Sequence, residues 1–307
     1  MSWRKWLMAP VLVAAAAALT LVAPVLAAAG PDGMGVAHNL AVKSAHSNAR
    51  PIKSNNLTYH GGAVETAPAV YLVEWGWTSD PSGEGPYFTN FLNHVGGSGW
   101  LNSVTQYCQG VATGTIQCGT SGTHAGNPSG ILKGAWADNT NAIPSQPTQS
   151  QLAAEAARAA FHFGNTTSAS NASVQYVIAT PHGNSSSGFG TQYCAWHSST
   201  SSSYGNLAYT NLPYITDAGA SCGESSVNSG SAGLLDGVSI VGGHELAETV
   251  SDQFPSTGWV DSRGAENGDK CAWVGLANVS LNGASFPVQP LWSNASNGGA
   301  GACVLSY

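Results

Sequence analysis

The chain has 307 residues, a formal net charge of −7 and only 8% charged residues. It contains no basic cluster of the kind that binds nucleic acid, so we expect no nucleic-acid partner. Charged residues normally make up about a quarter of a chain, so Ser, Thr, Asn and Gly must provide the solubility here.

The N-terminus carries a predicted secretory signal over residues 1–29. Arg4 and Lys5 precede the apolar run WLMAPVLVAAAAALTLVAPVL, and small residues suited to signal peptidase follow it. A membrane anchor is the alternative interpretation, but Pro10 and Pro24 interrupt the run. We therefore expect a secreted, extracellular protein with no membrane attachment after signal cleavage.

Residues 30–58 show no strong periodicity and are predicted to be an exposed leader arm or a short pro-segment. Residues 59–307 are predicted to be one domain of the α+β class. Within it, 69–77 and 172–183 are rich in β-branched and aromatic residues, which predicts two buried strands. The serine-rich stretch 198–205 is predicted to be an exposed or mobile loop.

Two helices are predicted. The first covers 150–163, where Ser150 can cap the N-terminus. The second begins at Asp236 and ends before Pro255. It is apolar on nearly every face before His244, which predicts a buried helix.

All six cysteines lie after the signal segment, and an even count in an exported chain predicts three disulfides. The connectivity stays open from sequence; local pairing is our prediction. A zinc site made of thiolates is the weaker alternative, because no C-x-x-C pair is present. The predicted pairs are Cys108–Cys118, Cys194–Cys222 and Cys271–Cys303.

The second helix contains the motif that points to chemistry, GGHELAETVSD. His244, Glu248 and Asp252 are four residues apart and share one face, with Glu245 beside them. Burying such groups without partners costs several kcal/mol, and a cation would satisfy them. The preceding pair, Gly242–Gly243, leaves room for another backbone or a ligand to approach.

The motif differs from the zinc-peptidase pattern H-E-x-x-H by one residue, because Glu248 replaces the second histidine. Zinc accepts carboxylate oxygen, so we predict His244 and Glu248 as ligands of Zn²⁺ and Glu245 as the general base. A second carboxylate raises the pKa of a metal-bound water. It also favours harder cations, so Ca²⁺ and Mn²⁺ are the alternative ions.

The third and fourth ligands are left open between two regions. Glu266 lies eighteen residues after Glu248, and His197 is close in sequence to Cys194. Either could complete the site, with Asp252 and Asp269 as partners that orient the ligands. The pattern alone also arises by chance in buried helices. A serine nucleophile is disfavoured because no G-x-S-x-G motif is present.

Four sequence blocks resemble, in order, the phosphate-induced protein 1 group, which includes the plant exordium proteins. They are YHGGAVETAPAVYLVEWG, YCAWHS, GHELAETVSD and FPVQPLWSNASNGGAGAC. The resemblance implies an exported, cell-wall or extracellular protein with disulfides, but no established chemistry. Plant members lack the His–Glu pair on the helix, whereas the bacterial-like branch keeps it. The pair at 244 and 245 is therefore not required by the fold that the resemblance implies.

Two functional expectations follow. The first is a secreted, metal-dependent hydrolase with a metalloprotease-like fold, acting on an extracellular protein or peptide. The second is a non-enzymatic exordium-like protein in which the metal is structural or the partner is a cell-wall glycan. Exposed tryptophans would serve the glycan role, although aromatic residues are more often part of the core.

Overall fold

The computed structural model describes residues 38–43 and 55–307, and for His38 the backbone alone. The predicted signal segment 1–29 and most of the predicted leader arm lie outside the described residues. The rest of the chain contains both helices and strands, in agreement with the predicted α+β class. The helices are α1 (Glu84–Val95), α2 (Gln149–His162) and α3 (Asp236–Ser251).

One six-stranded sheet forms the middle of the molecule, and eight short strands pair in twos around it. The sheet strands are β1 (His38–Ala41), β3 (Ala69–Trp75), β6 (Leu132–Asp138), β7 (Val174–Ala179), β8 (Tyr193–Ser202) and β9 (Gly205–Leu212). The pairs are β2 (Thr58–Tyr59) with β10 (Trp259–Val260), β4 (Cys108–Gln109) with β5 (Thr123–His124), β11 (Ala277–Leu281) with β12 (Ala284–Val288), and β13 (Leu291–Ser293) with β14 (Ala302–Val304).

The sheet has the order β1-β8-β9-β7-β3-β6, and its four strands β9, β7, β3 and β6 are mutually parallel. Parallel strands need a long crossover connection, which contains α1 between β3 and β6 and α2 between β6 and β7, the two strands on either side of β3. β8 and β1 are antiparallel and complete one edge. This edge carries one wall of the site described below.

The two faces of the sheet bury different helices, because successive side chains of a strand point to opposite sides. Val70 and Leu72 of β3 belong to the core that includes α1 and α3, whereas Val73 and Trp75 belong to the core under α2. The sheet therefore separates α2 from the helix that carries the H-E-x-x-E motif.

The cap of α2 differs from the prediction. Thr148, rather than Ser150, is the N-cap: its hydroxyl accepts the backbone N–H of Gln151, and the Gln151 side chain accepts the backbone N–H of Thr148. This reciprocal capping box satisfies two N–H groups at once, which a single serine cap does not. Ser150 lies inside the helix.

The prediction of a loop over the serine-rich stretch 198–205 was wrong. These residues form the β8–β9 hairpin, with Ser198 opposite Tyr209 and Thr200 opposite Leu207. Ser198 is fully buried and Thr200 nearly so. Cross-strand pairing and burial outweigh the weak strand preference of serine, since strand preference depends strongly on context.

Part of the predicted leader arm is a sheet strand. β1 pairs with β8, and Leu40 lies opposite Ala195 with its side chain fully buried. The indole N–H of Trp273 donates to the carbonyl of Ala41 at 2.8 Å. The segment 38–41 is thus built into the sheet, beside the strand that carries His197.

α3 is buried along its whole length, as predicted. It lies between the sheet on one side and α1 with the β11–β12 hairpin on the other. The glycines before His244 admit aromatic rings, and not the backbone or ligand that the sequence suggested. A Cβ on Gly242 would lie 2.2 Å from the Phe88 ring, and one on Gly243 would lie 3.1 Å from Phe91.

Gly242→Ala should therefore lower the free energy of unfolding by about 1–3 kcal/mol, the usual cost of overpacking a core. The alanine gains helix propensity, but Phe88 cannot retreat within the closely packed core. Urea unfolding followed by tryptophan fluorescence measures the change. Gly99→Ala is the matched control, because its Cβ would meet only Ser306, at 3.7 Å. Equal stability of the two variants would contradict the prediction.

Three disulfides are present, and they confirm the predicted local pairing. Their Cα–Cα distances are 6.1 Å for Cys108–Cys118, 5.4 Å for Cys194–Cys222 and 5.7 Å for Cys271–Cys303. The last two fix the backbone close to His197 and Asp269. Among the described residues, no helix has the length and apolar character needed to cross a bilayer.

Candidate metal centre

The candidate centre consists of two histidines and four carboxylates that come from three segments of the chain. α3 supplies the first of them, because positions four apart in a helix share a face. His244 Nε2 lies 3.0 Å from Glu248 Oε1, and both side chains are fully buried. The members are His197, His244, Glu245, Glu248, Glu266 and Asp269.

β8 supplies the second histidine. His197 lies two residues after Ala195, so both side chains point to the face of the sheet that α3 covers. Its Nε2 is 3.5 Å from Glu248 Oε2. Glu248 therefore lies between two imidazoles, with one oxygen directed at each.

The loop after β10 supplies the remaining two carboxylates. Glu266 Oε2 lies 2.9 Å from His197 Nε2, and Asp269 Oδ1 lies 3.8 Å from His244 Nε2. The backbone N–H of Asp269 donates to Glu248 Oε1 at 2.9 Å. The Asn267 side chain donates to the Ala247 carbonyl at 2.9 Å and so attaches this loop to α3.

All six of these residues were singled out from sequence, and the structure brings them together. Asp269, predicted as a partner that orients a ligand, stands as close to His244 as a ligand would. Glu266, predicted as a ligand beside Glu248, instead contacts Nε2 of His197. A short 3₁₀ turn, Asp269–Cys271, produces this difference by turning Asp269 back toward α3.

Asp252 shares the helix face but acts at the end of α3. Its carboxylate accepts the backbone N–H groups of Ser256 and Gly258, each at 2.6 Å, and closes the turn that follows the helix. Burial, together with the negative charge of Glu266, raises the pKa of Asp252 well above its usual value. Asp252 thus interacts with the centre through Glu266 and, by its charge, with His197.

Gly268 allows the loop to lie directly on the centre. A Cβ at this position would lie 2.7 Å from His244 Nδ1 and 3.0 Å from Glu248 Oε1. The φ of Gly268 is −75°, a value that any residue adopts. Glycine is therefore required by the lack of space for a Cβ, and not by the backbone conformation.

Gly268→Ala should displace the His244 ring and weaken zinc binding by about tenfold or more, since loss of ligand positioning costs 10- to 100-fold in affinity. Competition with a fluorescent zinc chelator measures the affinity. Gly99→Ala again serves as control, because its extra methyl has room. Unchanged affinity in the Gly268 variant would show that the loop does not position the imidazole.

Two sets of ligand atoms each lie within 4.8 Å of one another in the described part of the chain. We call them the His244 group (His244, Glu248 and Asp269) and the His197 group (His197, Glu245 and Glu248). Tetrahedral zinc with bonds of about 2.1 Å places neighbouring ligand atoms about 3.4 Å apart. Both groups are therefore close to the size that one ion requires.

Several polar atoms of the centre have no hydrogen-bond partner among the described residues. They include both oxygens of Glu245 and Nδ1 of His244. An unsatisfied buried polar group costs about 1–3 kcal/mol, and more when it is charged. A cation would remove much of this cost, because it binds the lone pairs that no N–H reaches.

The electrostatics of the centre depend on Glu248. Burial would raise its pKa, but the charges of His244 and His197 outweigh burial and hold it below the usual range. Burial and the Glu248 charge raise the pKa of Glu245 to about 8, although His244 and His197 oppose the rise. Burial lowers the pKa of His244, yet the neighbouring carboxylates raise it to about 10. Glu248 is thus the carboxylate most strongly held in its ionised form.

Glu65 is a further buried acid near the centre that sequence reasoning missed. Its side chain is fully buried and accepts a hydrogen bond from Gln175 Nε2 at 2.8 Å. Burial raises its pKa to about 8, and the hydrogen bond and the charge of His197 lower it only in part. The sequence signal that could have pointed to Glu65 is its position as the single acidic residue in the otherwise uncharged stretch AVETAPAV.

The centre meets solvent at one point. His197, His244 and Glu248 have no exposed side-chain surface, whereas the Asp269 side chain is 25% exposed. A ligand or ion must therefore approach from the side of Asp269.

Comparison with protein-family models, with curated proteins and with solved structures found no match. The function must accordingly be argued from the site itself.

Proposed function

We propose that this protein is an exported, metal-dependent hydrolase, most similar in chemistry to a zinc metallopeptidase, with the ion held by His244, Glu248 and Asp269. The observation that carries the proposal is the convergence of these three side chains within 4.8 Å from a helix and a separate loop. Such a set of one imidazole and two carboxylates leaves a position for water on a four-coordinate zinc ion.

The ion would polarise a bound water and a substrate carbonyl. Glu245 follows His244 on α3. One of its oxygens lies within 4.8 Å of an oxygen of Glu248, and neither of its oxygens has a hydrogen-bond partner among the described residues. It is therefore the group available to accept the proton of that water. A nearby divalent cation also favours the ionised carboxylate, which is the form that a base requires.

The ligand set also bears on the identity of the ion. Two carboxylates offset the charge of a divalent ion, so a bound water is less acidic than on a zinc ion held by histidines. Zn²⁺ remains our proposal because His244 contributes nitrogen, whereas Mn²⁺ and Ca²⁺ prefer sites richer in oxygen. Elemental analysis of the purified protein separates these ions.

An unstructured extracellular protein or peptide is the proposed substrate. The centre is buried except beside Asp269, so an extended segment reaches it more readily than a folded surface does. The test is to purify the mature protein, measure its metal content and follow cleavage of an unstructured protein. We expect about one zinc per chain, loss of turnover with a chelator and recovery with zinc. A protein without bound or bindable metal would overturn the proposal.

A second candidate is a non-enzymatic extracellular protein of the exordium kind, in which the ion stabilises the fold. Burial of the centre favours it, because a substrate reaches a buried ion less readily than an exposed one. In that case a chelator lowers the melting temperature, no substrate is turned over, and any polysaccharide binding survives Glu245→Gln. Turnover that requires Glu245 would exclude this candidate.

A further inference from the structure

The His197 group is a second ligand set in which the proposed hydrolase uses Glu248 as a ligand and Glu245 as the base but gives His197 no role. It shares only Glu248 with the His244 group: Glu248 Oε1 faces His244 at 3.0 Å, and Oε2 faces His197 at 3.5 Å. We propose that His197, Glu245 and Glu248 bind a second divalent cation, and that this ion inhibits the hydrolase by occupying its general base. The inhibition, unlike the binding, rests on the proposed function.

The two groups do not merge into a single site. In the described residues, no set containing both His197 and His244 has all its ligand atoms within 4.8 Å. Two ligands of one zinc ion cannot lie more than about 4.2 Å apart, which is twice the bond length. The two imidazoles thus serve separate positions, and a carboxylate that bridges two metal ions typically holds them about 3.5–4 Å apart.

The charge of the centre favours a second cation. One divalent ion offsets only two of the negative charges that Glu245, Glu248, Glu266 and Asp269 carry when ionised. Across the described part of the chain, no lysine or arginine forms an ion pair with Glu245, Glu248 or Asp269. Glu248 and Asp269 instead face the two imidazoles. A divalent ion that replaces the proton on an imidazole carries one more positive charge than the proton, so two ions would offset more of the charge of the ionised carboxylates than two imidazolium groups do.

Glu245 is the reason why a cation in the second position would affect hydrolysis. Its fully buried carboxylate lacks hydrogen-bond partners among the described residues, and one of its oxygens lies within 4.8 Å of a ligand atom of His197 and one of Glu248. In hydrolysis it accepts the proton of the attacking water while the oxygen bonds to the carbonyl carbon. It then gives that proton to the amine nitrogen as the C–N bond breaks. A carboxylate bound to a cation lacks the free lone pair that this proton transfer needs.

The test is a zinc titration of the metal-free protein, followed by calorimetry and by cleavage of an unstructured protein. We expect two equivalents to bind, with activity highest at the first. The second should reduce activity by about 10²-fold, the lower range of a general base's contribution. No binding would overturn both the proposed function and this inference. If one equivalent binds and the protein turns over its substrate, this inference is wrong while the proposed function stands. If a second equivalent binds and raises activity, the proposed inhibition is wrong.

His197→Gln is the diagnostic variant, because glutamine fills similar space and can keep a hydrogen bond to Glu266. It should bind one equivalent, and excess zinc should not reduce whatever activity it has at that equivalent. His182→Gln is the matched control: His182 is 58% exposed and pairs with Asp217, so it could bind zinc at the surface. If inhibition disappears in the control and persists in His197→Gln, the second ion lies elsewhere. If His197→Gln does not fold, the titration of the parent protein decides.

Discussion

Glu245→Gln is expected to reduce kcat for peptide hydrolysis by about 10²–10⁴-fold, the usual contribution of a general base. Glutamine has nearly the same shape but cannot accept the proton of the attacking water. The His244 group does not include Glu245, so the first zinc ion should still bind. A loss of kcat with little change in KM is the expected pattern, because the interaction is made in the transition state.

Steady-state kinetics together with zinc analysis of the same sample measure this effect. Glu224→Gln is the matched control, because Glu224 is partly exposed and lies outside the centre. Both variants should fold and hold one ion at one equivalent of zinc. Full activity in Glu245→Gln would remove the proposed mechanism, and a lost first ion would make Glu245 a primary ligand.

Glu248→Gln should have the broader effect, because this residue belongs to both ligand groups and contacts both imidazoles. We expect neither ion to bind with measurable affinity and no turnover to remain. Removing one partner of a buried charged pair destabilises a protein by about 3–5 kcal/mol, so unfolding should also become easier by about that amount.

Urea unfolding of the metal-free proteins separates the effect on the fold from the loss of the ion. The comparison with Glu224→Gln corrects for the change from an acid to an amide. If metal-free Glu248→Gln is as stable as the metal-free parent, the imidazoles do not depend on this carboxylate. If it also binds zinc as tightly as the parent, the assignment of Glu248 as the shared ligand is wrong.

Sequence reasoning found the helix and the residues of the centre because both depend on local pattern. The apolar residues before His244 predicted burial, and Asp236 predicted the start of α3 correctly. The local cysteine pairing was also correct, since disulfides between nearby cysteines close short loops. The positions of His244 and Glu248 on one face follow from helix geometry alone.

The errors arose where strand pairing and packing, rather than residue preference, decide the structure. The serine-rich end of β8 has low strand propensity and becomes a strand only because β9 pairs with it. The order of the parallel strands in the sheet cannot be predicted from any local pattern in the sequence. The different positions of Glu266 and Asp269 depend on Gly268, which allows the loop to touch His244. Their spacing in the sequence could not show which of the two would reach it.

The strand β1 limits how far the N-terminus could be shortened without harm. If a protease removed residues 30–58 as a pro-segment, β8 would lose β1, its partner on the outer side, and the Leu40 side chain would leave the core. The N–H and C=O groups of β8 that face β1 would then be unpaired at the edge of the sheet, where they can pair with the same edge of another molecule. A trimmed form would therefore tend to self-associate, and the histidine on β8 would lie in the contact between the two copies.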